Sequence, residues 1–134
     1  MSFKKVEELD ELDFFMGLKQ NPKELEIVKV GELRPSSKGD GLYFYMTFRL
    51  TETLQTIDVG YNVHSNGESL IIGARSKLYP LLSHVTHIDD GAISCLKSDI
   101  DEVLIGYKFE ASVKVEKFGN KRYFIIIPNP RRRD

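Results

Sequence analysis

The chain has no tryptophan, one cysteine, and no apolar run approaching the roughly 18–20 residues that a membrane-spanning helix needs. Cys95 alone cannot close an internal disulfide, so the sequence suits a reducing compartment and not a cross-linked secreted scaffold. Without tryptophan, any flat aromatic surface has to be made by the six tyrosines and eight phenylalanines. A surplus of one charge is missing as well. Nineteen Lys plus Arg against 20 Asp plus Glu leave a formal net charge of −1. That balance excludes a surface that is basic all over, but not a local basic groove, because potential follows the arrangement of charges. There is no Walker, dinucleotide-binding or nucleophile-elbow motif, no internal repeat and no low-complexity tract. The stretch MSFKKVEELDELDFF mixes acids among its apolar residues and does not read as a secretory signal. The expectation is a soluble cytoplasmic protein with no membrane attachment.

At 134 residues the chain suits one compact domain, and 41% hydrophobic with 29% charged residues is the balance of a globular chain, not a disordered one. Val6, Leu9, Leu12, Phe15 and Leu18 recur at helical spacing, and Pro22 disfavours helix at Asn21. Residues 1–23 therefore read as an N-terminal helical extension, residues 24–128 as the main domain, and 129–134, ending RRRD, as a basic C-terminal tail.

From residue 24 the pattern turns to period two. ELEIVKVGEL (24–33) changes from apolar at Leu25 and Ile27 to apolar at Val28 and Val30, which is how a β-bulge looks in sequence. RPSSKGDG (34–41) has the composition of a loop. In GLYFYMTFRL (41–50), Phe44, Met46, Phe48 and Leu50 fall on one face of a strand, and Tyr43, Tyr45, Thr47 and Arg49 on the other. A third strand covers 53–63. SNGESLIIGARSKLYPLL then reads as a helix over 65–82, with Ser65 and Glu68 as a capping box, Ile71, Ala74 and Leu78 at helical spacing, and Pro80 limiting the last turn. GAISCL suits a short strand, and SDIDEVL a helical turn or two with Ser98 as N-cap. The chain closes with a hairpin that turns at Gly119 and Asn120. Three strands, a helix and a hairpin, with a bulged first strand, are the order of a mainly β, five-stranded OB-fold-like barrel with a helix between strands 3 and 4. A generic α+β sheet with a helix on one face is the alternative.

The segment VLIGYKFEASVKVEKFGNKRYFIII (103–127) resembles the last hairpin of phage-type and bacterial OB-fold proteins that bind single-stranded DNA. The likeness covers residues 24–127 in strand order and this hairpin in motif. Such proteins often end in an acidic tail, whereas this chain ends NPRRRD and carries its acids at Glu7, Glu8, Asp10, Glu11 and Asp13. The resemblance implies a role in DNA replication, recombination or repair, in the host cytoplasm if the protein is phage-encoded.

That resemblance directs attention to the second strand, the first loop and the final hairpin. They supply Tyr43, Tyr45 and Arg49, Arg34 and Lys38, and Phe118, Lys121, Arg122 and Phe124. Aromatic rings give bases a surface to stack on, and Lys and Arg neutralise phosphates. The expected partner is single-stranded nucleic acid, DNA ahead of RNA, with no cofactor and no catalysis. Tyr43 and Tyr45 would equally suit a sheet-stabilising pair or a support for the N-terminal helix. The alternative function is a protein-interaction module, with residues 5–19 as the docking piece. His84 and His87, followed by Asp89 and Asp90, form a weak metal-like cluster that reads as loop, and Cys95 reads as a small buried hydrophobe.

Overall fold

The computed structural model describes residues 22–36, 41–119 and 121–129, with only the backbone described at Val115, Lys117, Phe118, Lys121 and Arg122. The expected N-terminal helix, Lys38 and the RRRD tail lie outside the described residues. Eight strands form one sheet: β1 (Lys23–Val30), β2 (Arg34–Pro35), β3 (Leu42–Leu50), β4 (Thr56–Asn66), β5 (Ser69–Ile72), β6 (Ile93–Cys95), β7 (Lys108–Phe118) and β8 (Lys121–Pro128). Among the described residues two short helices, α1 (Tyr79–Thr86) and α2 (Lys97–Leu104), sit on either side of β6 in the chain. The strand order is β6-β5-β4-β3-β1-β7-β8, with β2 added against β3, and every pairing is antiparallel.

The architecture corrects the expected five-stranded OB-fold-like barrel with a helix between strands 3 and 4. The sheet is open, with β6 and β8 at its two ends. No helix starts at Ser65. Instead β4 runs on to Asn66, the chain turns at Gly67 with φ of 67°, and β5 returns with Asn66 opposite Ser69. A glycine at the first central position of a two-residue hairpin loop is what a type II′ turn requires. Leu70 and Ile72 then point into the core on alternate positions of β5. The helix begins only at Tyr79, with Pro80 in its first turn, where a missing N–H costs nothing. His84, expected in the loop after the helix, lies within it. Ser98 is not the N-cap of α2. That position falls on Leu96, whose N–H donates to the Asp99 carboxylate at 3.0 Å.

Elsewhere the alternation holds. Phe44, Met46 and Phe48 are fully buried and Leu50 nearly so, with Ile57, Val59, Tyr61 and Val63 of β4 beside them on the same inner face. The bulge in β1 is real: Ile27 pairs with Phe48 and Lys29 with Thr47, leaving Val28 as the extra residue. Of the stretch expected to be loop, Arg34 and Pro35 pair with Tyr43 and Leu42. The core is completed by Leu78, Leu81 and Leu82 from around α1, Ile100 and Leu104 from α2, and Phe109, Ala111, Val113 and Ile126 from the final hairpin. α1 packs on β8, and α2 on β1. Among the described residues no helix is long and apolar enough to cross a membrane.

Phe48 stands where β1, β3 and the Phe109 ring meet, its ring 6.2 Å from that of Phe109. Phe48→Ala should lower the unfolding free energy by about 3–5 kcal/mol, read from the midpoint of urea unfolding at constant slope.

Candidate nucleic-acid interface

Four side chains of β3 leave the core on its outer face, and their neighbours decide what each can do. Tyr45 is the most exposed of them at 55%. Tyr43 braces it edge-on, with ring centroids 5.8 Å apart and planes at 90°. Across the strand pair Tyr45 faces Gly60, and its ring leans over that glycine. A Cβ at position 60 would stand 3.1 Å from Cε1 of the ring, so a larger residue would push the ring away. Thr47 and Arg49 are occupied. The Thr47 hydroxyl donates to Asp58 Oδ1 at 2.6 Å, and Arg49 Nη2 donates to Glu26 Oε1 at 2.8 Å.

Tyr45 forms a ridge between two open grooves. One, of about 550 Å³, runs from Tyr43 and Tyr45 past Gly60 to Lys77, Tyr123 and Phe124. The Lys77 ammonium lies 4.9 Å from the centre of the Tyr123 ring, a cation–π arrangement. The other groove, of about 510 Å³, is bounded by Lys29, Glu32, Arg34, Thr47 and Asp58. Of the residues expected at the site, Tyr43, Tyr45 and Phe124 line the first groove, and Arg34 lines the second with Tyr45. Arg49 is on the same face of β3 and is paired with Glu26. Phe118, Lys121 and Arg122 belong to the β7–β8 hairpin, and their side chains, like Lys38, are outside the described residues.

Several residues of this surface were not expected. Gly60 carried a signal, since a glycine inside a strand marks a close approach. Lys77 carried none: it reaches the groove only because the stretch expected to be helix is a strand and a turn. Tyr61 belongs to the inner face of β4, yet its hydroxyl is a surprise. The residue is 2% exposed, and among the described residues its hydroxyl oxygen has no hydrogen-bond partner. Burial pushes its pKa far above the ordinary tyrosine range.

His84 does not combine with His87 into a metal cluster. Its Nδ1 lies 2.8 Å from the Tyr107 hydroxyl, and the Tyr107 ring stacks on Phe109 at 5.5 Å. Among the described residues no three His, Cys, Asp or Glu side chains are gathered as a metal site would need. Cys95 is half-buried against the core; burial, and then the nearby Asp99 carboxylate, push its thiol pKa up, which keeps the sulfur protonated and a poor nucleophile.

Tyr61→Phe removes an unsatisfied buried hydroxyl and should raise stability by about 1 kcal/mol. The folded-state pKa of Tyr61 lies above its ordinary value of 10.0, so native stability should fall as pH rises past that value. The substituted protein should fall less steeply when urea midpoints are compared across alkaline pH. No family model matches this sequence, and neither a curated protein nor a solved structure is similar enough to match.

Proposed function

We propose that the protein binds single-stranded nucleic acid, DNA ahead of RNA, on the outer face of β3 and β4, and that it is a binding protein and not an enzyme. The observation that carries this reading is the Tyr45 ring, exposed, braced edge-on by Tyr43 and lying over Gly60 as a ridge between two solvent-open grooves. A ring held this way offers its free face to any base at little entropic cost, since its rotamer is already fixed by its neighbours. Stacking of this kind is worth about 1–3 kcal/mol per base. Lys77, Arg34 and Lys29 stand along the grooves for phosphates. A place in DNA replication, recombination or repair is what the likeness of the final hairpin adds.

Glu32 and Asp58 share these grooves with the cations, and this favours a second reading, a protein-interaction module with a near-neutral aromatic surface. Salt separates the two. With about three phosphates neutralised, the slope of log Kobs against log salt for a single strand should be near −2. Fluorescence anisotropy of a labelled oligothymidine should show binding with that shallow slope. The Tyr43→Ala/Tyr45→Ala double variant, still folded by circular dichroism, should bind at least tenfold more weakly. If the oligonucleotide fails to bind at low salt, the nucleic-acid reading is lost and the protein-interaction reading takes its place.

A further inference from the structure

The backbone parity of β3 decides which hydrogen-bonding groups of β4 are left over. The Tyr45 carbonyl accepts from Gly31 N–H at 2.7 Å, the Gly41 carbonyl accepts from Ser36 N–H at 2.9 Å, and Thr51 N–H donates to the Glu24 carbonyl at 3.2 Å. The odd-numbered residues of β3 thus direct their backbone toward β1 and β2. Leu50 N–H, by contrast, donates to the Gln55 carbonyl at 2.8 Å, toward β4. In an antiparallel pair the N–H and C=O of one residue point to the same side. With Tyr45 opposite Gly60, both backbone groups of Gly60 must therefore point away from β3. Asp58 and Asn62, opposite Thr47 and Tyr43, follow the same parity. β5 pairs along that side only from His64 onward. Among the described residues, no backbone group meets Asp58, Gly60 or Asn62 on it.

This unpaired edge forms a wall of the larger groove, and Tyr123 and Phe124 of β8 line the same groove. On its outer side Gly60 is covered by the Tyr45 ring, so a ligand reaches the unpaired edge along the groove beside that ring. The N–H and C=O of one strand residue offer a donor beside an acceptor. Every nucleobase presents the complementary pair on its Watson–Crick edge, which is the edge proteins read on unstacked bases.

Building on the single-stranded nucleic-acid reading above, we infer that the unpaired backbone of Gly60 hydrogen-bonds the Watson–Crick edge of one base seated in the groove between β4 and β8. Tyr45 and Tyr123 flank that base. The site then selects for an intact base edge, and not only for a ring to stack on. For thymine, N3–H donates to the Gly60 carbonyl and a ring carbonyl oxygen accepts from the Gly60 N–H.

The test uses the full chain and two labelled strands of about ten nucleotides, a length within the usual site-size range. One is oligothymidine and the other is built from N3-methylthymidine, which keeps the ring and the charge but loses the N3 donor. The methylated strand should bind at least tenfold more weakly. Amide hydrogen exchange at Gly60 should slow on adding oligothymidine and stay fast with the methylated strand. Equal affinity, with no protection at Gly60, overturns the inference and leaves binding by stacking alone. If neither strand binds, the proposed function fails and this inference fails with it.

Discussion

The register of β3 is the constraint from which the rest of the structure follows. The strand is paired along both edges, to β1 and β2 on one side and to β4 on the other. A slip of one residue would move every side chain to the opposite face, placing Phe44, Met46 and Phe48 in water and two tyrosines and an arginine in the core. At about 1.5–3 kcal/mol for each large apolar side chain buried, no outer-face interaction could compensate. One register therefore fixes the core, the aromatic outer face and the side to which each peptide group points. The bulge at Val28 lets β1 keep Leu25 and Ile27 inside while Lys29 stays at the surface.

Where side-chain period alone decides structure, the fold was legible. The alternation in β3, the change of face in β1 and the return at Gly119 all identified their elements, because a half-buried antiparallel strand has to alternate. Residues 65–82 misled for an equally physical reason. Ser65 with Glu68, and Ile71 with Ala74 and Leu78, satisfy helical spacing, but Leu70 and Ile72 also satisfy period two, and Gly67 can open a two-residue hairpin turn. Tertiary pairing with β4 and β6 settled that conflict, and no local rule could have weighed it. The candidate site divides in the same way. Tyr43 and Tyr45 could be placed by alternation, whereas the pairing of Arg49 with Glu26, 23 residues away, depends on β1 lying beside β3.

The outer face shows how charge and aromatic surface are balanced. Arg49 and Glu26 form a part-buried pair still in contact with solvent, and it contributes about 1 kcal/mol to stability. Its larger effect is on the field. Glu26 and Asp58 keep the strand pair close to neutral around the two tyrosines, so rings and backbone groups, and not a strong potential, give this surface its character. Among the described residues of this face, Arg49 is matched by Glu26, and Asp58 stands beside Thr47.

The pairing of the outer strands also fixes where the flanking chain is attached. Lys23 lies opposite Ala111, and Ala111 lies opposite Pro128, so the first residue of β1 and the last of β8 share one row of the sheet. Two strand spacings, about 10 Å, separate them. The chain on either side of the sheet is thus attached at neighbouring points on one rim. The same proximity makes the fold a natural candidate for circular permutation. A linker of about five residues would span from 128 to 23, and new ends could be opened at the Gly67 turn with every pairing around β3 preserved.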